Sequence, residues 1–230
     1  MTLHDTAGAG GPASAASFAG TDKPPYWDAA VAHLLKRDRI LKKLIPRHPE
    51  IHLATQGEPF LTLARAIIGQ QISAKAADTL WERCLGACGR RVAPGVVGKL
   101  GVAGLREAGL SQRKAEYLLD LATHFQQRLV HPGQWADMDD EAVIAELTAI
   151  RGIGRWTAEM FLIFNLRRPD VLPLDDAGLL RAISQHYFSG EPVSRFEARE
   201  VAQAWKPWCT VATWYLWKSL APDSPASPTR

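Results

Sequence analysis

Cysteine is scarce in this chain, with only Cys84, Cys88 and Cys209 among 230 residues. Three scattered thiols are too few for a disulfide framework or for an iron-sulfur cluster held by four thiolates. Cys84 and Cys88 stand one helical turn apart and could supply two metal ligands, but no third or fourth ligand lies nearby in the sequence. We therefore expect core thiols, and neither a metal nor a cofactor.

Long apolar runs are also missing. No stretch reaches the roughly eighteen apolar residues that a membrane-spanning helix needs, and no basic residue or apolar signal core precedes Lys23. Small and polar residues dominate 1–22, and proline and serine dominate 222–230, so both segments are predicted to be disordered tails. We expect a cytoplasmic protein, associated with the nucleoid if the source is bacterial.

The sequence also lacks the alternation of apolar and polar residues that is typical of β-strands. No segment alternates apolar and polar residues for long enough to build a sheet, so the fold class is predicted to be all-α. Helical spacing of apolar residues predicts helices over these segments: 26–35, 40–45, 59–71, 73–88, 112–127, 139–150, 156–166, a helix that starts at 175, 195–205 and 208–220. Pro59 suits a first turn, and Ser73 and one of Asp139 or Asp140 suit caps.

The charge balance is mildly basic. A net charge of +3 permits binding to nucleic acid without requiring it. Five cations cluster between positions 37 and 47 on the polar side of the first two predicted helices, where a basic cluster is most often a solvated face: Arg37, Arg39, Lys42, Lys43 and Arg47. Any claim of nucleic-acid binding must therefore rest on a local site.

A glycine turn at 150–158, Ile-Arg-Gly-Ile-Gly-Arg-Trp-Thr-Ala, separates two predicted helices. Two glycines let a backbone turn tightly, and the exposed amides at the start of the second helix form a natural phosphate site, which Arg151 and Arg155 would reinforce. Such contacts position DNA without reading its sequence. For an isolated Gly-x-Gly, a plain helix C-cap glycine followed by a turn is the favoured interpretation.

Two acids and several tryptophans follow the turn. Asp175 sits where a helix cap would be and Asp176 in the first helical turn, so capping is one interpretation of the pair. The other is a carboxylate that stabilises positive charge on a sugar carbon, as in glycoside hydrolysis. The chain has eight tryptophans, which usually build core, although a pocket for a planar or cationic base also needs aromatic walls.

Four motifs in order carry a resemblance: 66–73 (Ala-Ile-Ile-Gly-Gln-Gln-Ile-Ser), 152–158, 172–176 (Leu-Pro-Leu-Asp-Asp) and 205–208 (Trp-Lys-Pro-Trp) with Trp217. Together they resemble the helix-hairpin-helix DNA glycosylase superfamily, in its DNA-3-methyladenine glycosylase II branch, over roughly residues 60 to 220. The resemblance implies a compact, two-lobed helical core over 23–221, with one lobe from 61–174 and the second from 23–60 plus 175–221. The extra N-terminal sheet domain of larger relatives is not expected.

The resemblance also assigns residues. It implies that Asp176 is the catalytic carboxylate with Asp175 capping beside it, and that a damaged nucleotide is flipped out of the duplex. Trp156 and Trp217 match aromatic positions of the base pocket, with Met160 one turn from Trp156. The expected DNA contacts are Gln70, Gln71, Ser73, Arg151, Gly152, Ile153, Gly154, Arg155 and Thr157. Gln71 is the expected wedge in the gap left by the flipped base, and a buried helix-end amide is the alternative.

One position bears on mechanism. Relatives that also cut the backbone carry a lysine two residues after the second hairpin glycine, and here that position is Trp156. A monofunctional glycosylase that uses water is therefore expected. Alkylation at N3 or N7 already charges a purine, so no strong general acid is needed, and 3-methyladenine and 7-methylguanine in double-stranded DNA are the predicted substrates of a monomer. The alternatives are a glycosylase for uracil or an ethenoadduct, and a non-catalytic DNA-binding module in which Asp176 only caps a helix.

Overall fold

The computed structural model describes residues 23–54 and 57–220. The two predicted tails, 1–22 and 222–230, lie outside the described residues. Eleven α-helices and one 3-10 turn (Ile45–Arg47), with no strand, make up the described part, so the all-α prediction is confirmed there. The helices are α1 Trp27–Arg37, α2 Leu41–Leu44, α3 Pro59–Gly69, α4 Ala74–Ala87, α5 Pro94–Glu107, α6 Gln112–Gln126, α7 Asp140–Thr148, α8 Arg155–Phe164, α9 Ala177–Tyr187, α10 Arg195–Ala202 and α11 Cys209–Lys218.

The helices fall into two compact units. Residues 57–166, which we call the hairpin unit, carry α3 to α8, and residues 23–54 with 167–220, which we call the aspartate unit, carry α1, α2 and α9 to α11. The chain thus changes unit at 54/55 and 166/167, where the predicted lobes change at 60/61 and 174/175. No helix in the described residues is long and apolar enough to cross a membrane.

Helix starts follow side-chain caps. Ser73 accepts a hydrogen bond from the Ala76 amide and Asp139 from the Ala142 amide, which confirms the cap at Ser73 and selects Asp139 over Asp140. Pro59 occupies the first turn of α3, as predicted. The predicted cap of α9 is wrong by one residue: the N-cap is Asp176, not Asp175, because the Leu179 amide donates to the Asp176 carboxylate.

The core of the hairpin unit is built on aromatic rings. Phe60, Phe125, Trp135 and Phe161 meet edge to face in sequence, with ring centroids 5.2, 6.3 and 5.2 Å apart. Apolar spacing does not predict helix α5, because its glycines at 95, 98, 101 and 104 obscure the apolar period, and at Gly101 the backbone turns to φ +60° and kinks the helix.

The aspartate unit is organised around a buried carboxylate. Asp38 accepts hydrogen bonds at Oδ1 from the Ile40 and Leu41 amides, and at Oδ2 from the Tyr187 hydroxyl and the Trp205 indole. These four bonds tie the start of α2 to the end of α9 and to the segment before α11. The five cations predicted to lie on a solvated face are all exposed.

Candidate functional site

The hairpin between α7 and α8 depends on Gly152. Its φ is +88°, a left-handed conformation that favours glycine, and a Cβ there would lie 2.1 Å from Cδ2 of Tyr117 on α6. Close packing of the Tyr117 ring against the turn therefore excludes any side chain at this position. The buried side chain of Ile153 anchors the next residue of the turn in the core.

Gly154 differs from Gly152, because neither its backbone conformation nor a contact within the described part of the protein requires a glycine at this position. Its φ is −92°, an ordinary value, and a Cβ at this position would meet no atom within 4 Å. As the N-cap of α8 it supplies no side-chain oxygen to the first-turn amides, whereas Ser73, Ser111, Asp139 and Ser194 cap their helices in this way. An open, uncapped helix start with room for close approach is suited to a phosphate.

The two hairpin arginines are held by carboxylates of their own unit. Arg155 donates to Glu141 through both terminal nitrogens, at 2.9 and 2.5 Å, and through Nε to Glu159 at 3.0 Å. The hydrogen bonds from Arg155 to Glu141 lower the pKa of the Glu141 carboxyl. The Arg155 side chain thus joins α7 to α8.

The Arg151 side chain is more accessible to a phosphate than the Arg155 side chain is. Its side chain is 62% exposed, with one terminal nitrogen 3.5 Å from Glu116 and the guanidinium carbon 6.0 Å from the Tyr117 ring centre. Its amide donates to Asp120 at 2.8 Å, which fixes the backbone that leads into the turn. A long, exposed ion pair of this kind is weak and can exchange for a phosphate.

The loop between α3 and α4 is fixed to the hairpin. The Gln70 side-chain amide donates to the Gly152 carbonyl oxygen at 2.7 Å, and the Lys114 ammonium donates to the Ile68 carbonyl oxygen at 2.6 Å. Next to Gln70, Gln71 is exposed and adopts φ +59°, an uncommon conformation for a residue with a side chain. Gln70 is therefore an internal brace, and Gln71 projects from the loop. Ser73, also exposed, caps α4 directly after it.

One face of α8 carries the predicted pocket residues of the hairpin unit. Trp156 is 37% exposed although it is large and apolar, and Met160, half-buried, follows one helical turn later on the same side. Thr157, also half-buried, lies in the first turn, while Ala158, Phe161 and Leu162 enter the core.

The carboxylate of Asp176 is the focus of the aspartate unit. The residue is 4% exposed, and its Oδ1 accepts hydrogen bonds from the Leu179 amide at 2.6 Å and the Trp217 indole at 2.7 Å. A Cβ on Gly178 would lie 3.0 Å from that same oxygen and 3.4 Å from the Trp217 ring. The two donors and the missing side chain hold a buried carboxylate in one orientation at a helix N-terminus, where negative charge is stabilised.

Asp175 has a different environment. It is exposed, and one carboxylate oxygen lies 2.5 Å from a terminal nitrogen of Arg195 at the start of α10. The structure therefore separates two adjacent acids: Asp175 pairs on the surface, and Asp176 is buried, capped and hydrogen-bonded.

Sequence reasoning missed three residues that position the site: Tyr117, Lys114 and Gly178. Each acts through a contact between segments distant in sequence or through an absent side chain, so no local pattern marks it. The three cysteines are buried as expected, and burial raises the pKa of Cys84 to about 12. No group of three or more potential metal ligands occurs in the described residues.

Comparison with known proteins gives a consistent picture. The family model described as "HhH-GPD superfamily base excision DNA repair protein" matches residues 64–207. A putative DNA-3-methyladenine glycosylase of Bacillus subtilis, YfjP, is 29% identical over 203 residues, covering 84% of this chain and 71% of that protein.

Two solved structures are also similar. A DNA-3-methyladenine glycosidase from Bacillus halodurans has a TM-score of 0.78 and 35% identity over 87% of this chain and 90% of that one. The 3-methyladenine DNA glycosylase Mag1 of Schizosaccharomyces pombe, in complex with abasic DNA, has a TM-score of 0.71 and 30% identity over 83% of this chain and 96% of that one.

Proposed function

The chain belongs to the HhH-GPD superfamily of base excision DNA repair proteins, and on that basis we propose that it is a monofunctional DNA glycosylase for alkylated purines. The observation that carries the proposal is the buried Asp176 carboxylate, oriented by two donors on Oδ1. Relatives named DNA-3-methyladenine glycosylase over most of this chain support the substrate class.

The proposed reaction breaks the bond between C1′ of the sugar and the nitrogen of the base. The electron pair of that bond goes to the base, which leaves neutral because alkylation at N3 or N7 had already made it a cation. The Asp176 carboxylate stabilises the positive charge that develops on the sugar. Water then adds its oxygen to C1′ and loses a proton to solvent, which leaves an abasic site.

Base binding is assigned to aromatic faces. The Trp156 ring is exposed on α8, and a cationic purine gains energy from stacking on such a face. Trp217 donates its indole hydrogen to Asp176, so we assign its ring to the wall of the base pocket beside the proposed catalytic carboxylate. Met160 supplies a deformable apolar surface beside Trp156.

DNA is assigned to the hairpin and to the loop before α4. The uncapped start of α8, with Arg151 beside it, would bind a backbone phosphate through the amides of Gly154, Arg155 and Thr157. Gln71 would fill the gap left by the flipped nucleotide, because it projects from a loop that Gln70 braces on the hairpin. Double-stranded DNA is the proposed partner, bound by a monomer in the cytoplasm or nucleoid.

A panel of duplexes with one lesion each tests this proposal. We expect release of 3-methyladenine and 7-methylguanine, an abasic product without strand cleavage, and no covalent complex on borohydride reduction, because Trp156 cannot form a Schiff base. Release of only uracil or only an ethenoadduct would show that the substrate is that lesion and not an alkylated purine. Borohydride trapping would contradict the monofunctional mechanism, and no release from any duplex would favour the non-catalytic DNA-binding alternative.

A further inference from the structure

The positive charge of the protein is concentrated in one short segment. In the described residues, the hairpin unit has twelve lysines and arginines against twelve aspartates and glutamates, whereas the aspartate unit has fourteen against nine. Six of those fourteen cations fall in residues 36–47, which we call the basic segment: Lys36, Arg37, Arg39, Lys42, Lys43 and Arg47. The unit that carries the phosphate-binding hairpin is therefore neutral, and long-range attraction to a polyanion must originate in the other unit.

The one acid of the basic segment does not cancel this charge at the surface. Asp38 is 7% exposed and its carboxylate accepts the four hydrogen bonds described above, which satisfy it within the interior. The six cations are exposed, and none of them forms an ion pair with another residue in the part of the chain that the structure describes.

Only part of the segment has a structural explanation. Lys36 and Arg37 lie in the last turn of α1, where cations complement the free carbonyl groups of the helix end. Arg39, Lys42, Lys43 and Arg47 flank or occupy a four-residue helix and a 3-10 turn, which are too short for a comparable helix dipole.

The basic segment is remote from Asp176 within the aspartate unit. Helix α9 begins after Asp176 and spans 11 residues, about 16 Å. At its far end Tyr187 donates to Asp38 in the basic segment, and burial and then the charge of Arg47 lower the pKa of His186. The cations therefore lie about a helix length away from the proposed reaction centre.

We propose that the basic segment is a second DNA-binding surface, which binds the phosphates of undamaged duplex without reading sequence or lesion and supplies the salt-dependent affinity that the neutral hairpin unit lacks. Among the described residues, the basic segment has cations without ion-pair partners and no large exposed apolar side chain. Such a surface suits the uniform negative charge of duplex DNA better than it suits an acidic protein. The inference rests on the proposed function only in taking DNA as the ligand.

The test compares two triple variants of the full chain on lesion-free duplex. Arg39→Gln/Lys42→Gln/Lys43→Gln removes three cations of the basic segment, and Arg90→Gln/Arg91→Gln/Lys99→Gln removes three exposed cations of the hairpin unit. We expect the slope of log affinity against log salt to fall by about 2 to 3 in the first variant, since each phosphate contact contributes about 0.9, and by less than about one in the second. Equal slopes in the first variant and wild type, or equal losses in the two variants, would overturn the proposal.

A second measurement separates this inference from the proposed function. At saturating enzyme on a short lesion duplex, the first triple variant should release base at the wild-type rate, because Asp176 and Trp217 are untouched. The salt dependence of affinity is measured by binding alone. A wild-type protein that releases no base would therefore refute the glycosylase proposal, but the comparison of slopes would still test DNA binding by the basic segment. Loss of rate at saturation in the first variant would place the segment in the reaction site and contradict a separate surface.

Discussion

The contact between Gly178 and the Asp176 carboxylate leads to a prediction that separates stability from activity. In Gly178→Ala, the new Cβ would lie 3.0 Å from Oδ1 of Asp176 and 3.4 Å from the Trp217 ring, so the carboxylate must shift by a few tenths of an ångström. A misplacement of about 1 Å can cost about 100-fold in rate, so a shift of this size should lower kcat by roughly 3- to 10-fold. Helix propensity stabilises the variant by up to about 1 kcal/mol and offsets the strain of the new contact.

The expected signature is therefore a slower enzyme that is not less stable. Single-turnover base release and thermal unfolding measure the two quantities, and the Tm should stay within a few degrees of wild type. Gly86→Ala is the matched control, because Gly86 lies in α4 with no atom within 4 Å of a Cβ, and it should gain stability at unchanged rate. A wild-type rate in Gly178→Ala, or a rate that falls only with the folded fraction, would refute the positioning argument.

Three other variants test the hairpin, its brace and a buried carboxylate. Gly154→Ala should leave stability unchanged, because its methyl group meets no protein atom. It should weaken lesion-duplex binding several-fold, because the methyl group occupies the approach to the uncapped helix, and equal Kd values for variant and wild type would contradict the phosphate site. Gln70→Ala should weaken the same binding while base release from the bound complex stays near the wild-type rate, as a brace would require. Burial alone would raise the pKa of Glu146, but hydrogen bonds from His131 and Trp135 outweigh it and hold the pKa below 4.5, so this stabilisation is present above pH 4.5 and is lost as pH falls further. The urea midpoints of wild type and Glu146→Gln should therefore draw together as the pH falls below 4.5, and a constant difference would count against the interaction.

Local patterns predicted the helices and their caps more readily than the contacts that make the site. Ser73 and Pro59 mark helix starts by their own chemistry, whereas α5 was missed because glycine conceals its period. The roles of Asp175 and Asp176 could not be separated by position alone, because the bonds that distinguish them come from Arg195 and Trp217, which are distant in sequence.

The hairpin gives a second example in which local sequence does not separate the roles of neighbouring residues. A Gly-x-Gly pattern does not tell which glycine serves the fold and which leaves room for a ligand. The structure makes that distinction, since Tyr117 requires Gly152 and nothing in the protein requires Gly154. Likewise, Gln70 and Gln71 stand side by side in the sequence, and a single hydrogen bond to the Gly152 carbonyl separates the brace from the projecting side chain.

Single-turnover release of 3-methyladenine and 7-methylguanine by Asp176→Asn, compared with Asp175→Asn, tests the central claim most directly. Asparagine can still cap α9, so the fold should be kept while the negative charge is lost. We predict a fall of about 100-fold or more for Asp176→Asn and a change of less than about threefold for Asp175→Asn. A wild-type rate in Asp176→Asn would contradict the assignment of the reaction to this carboxylate.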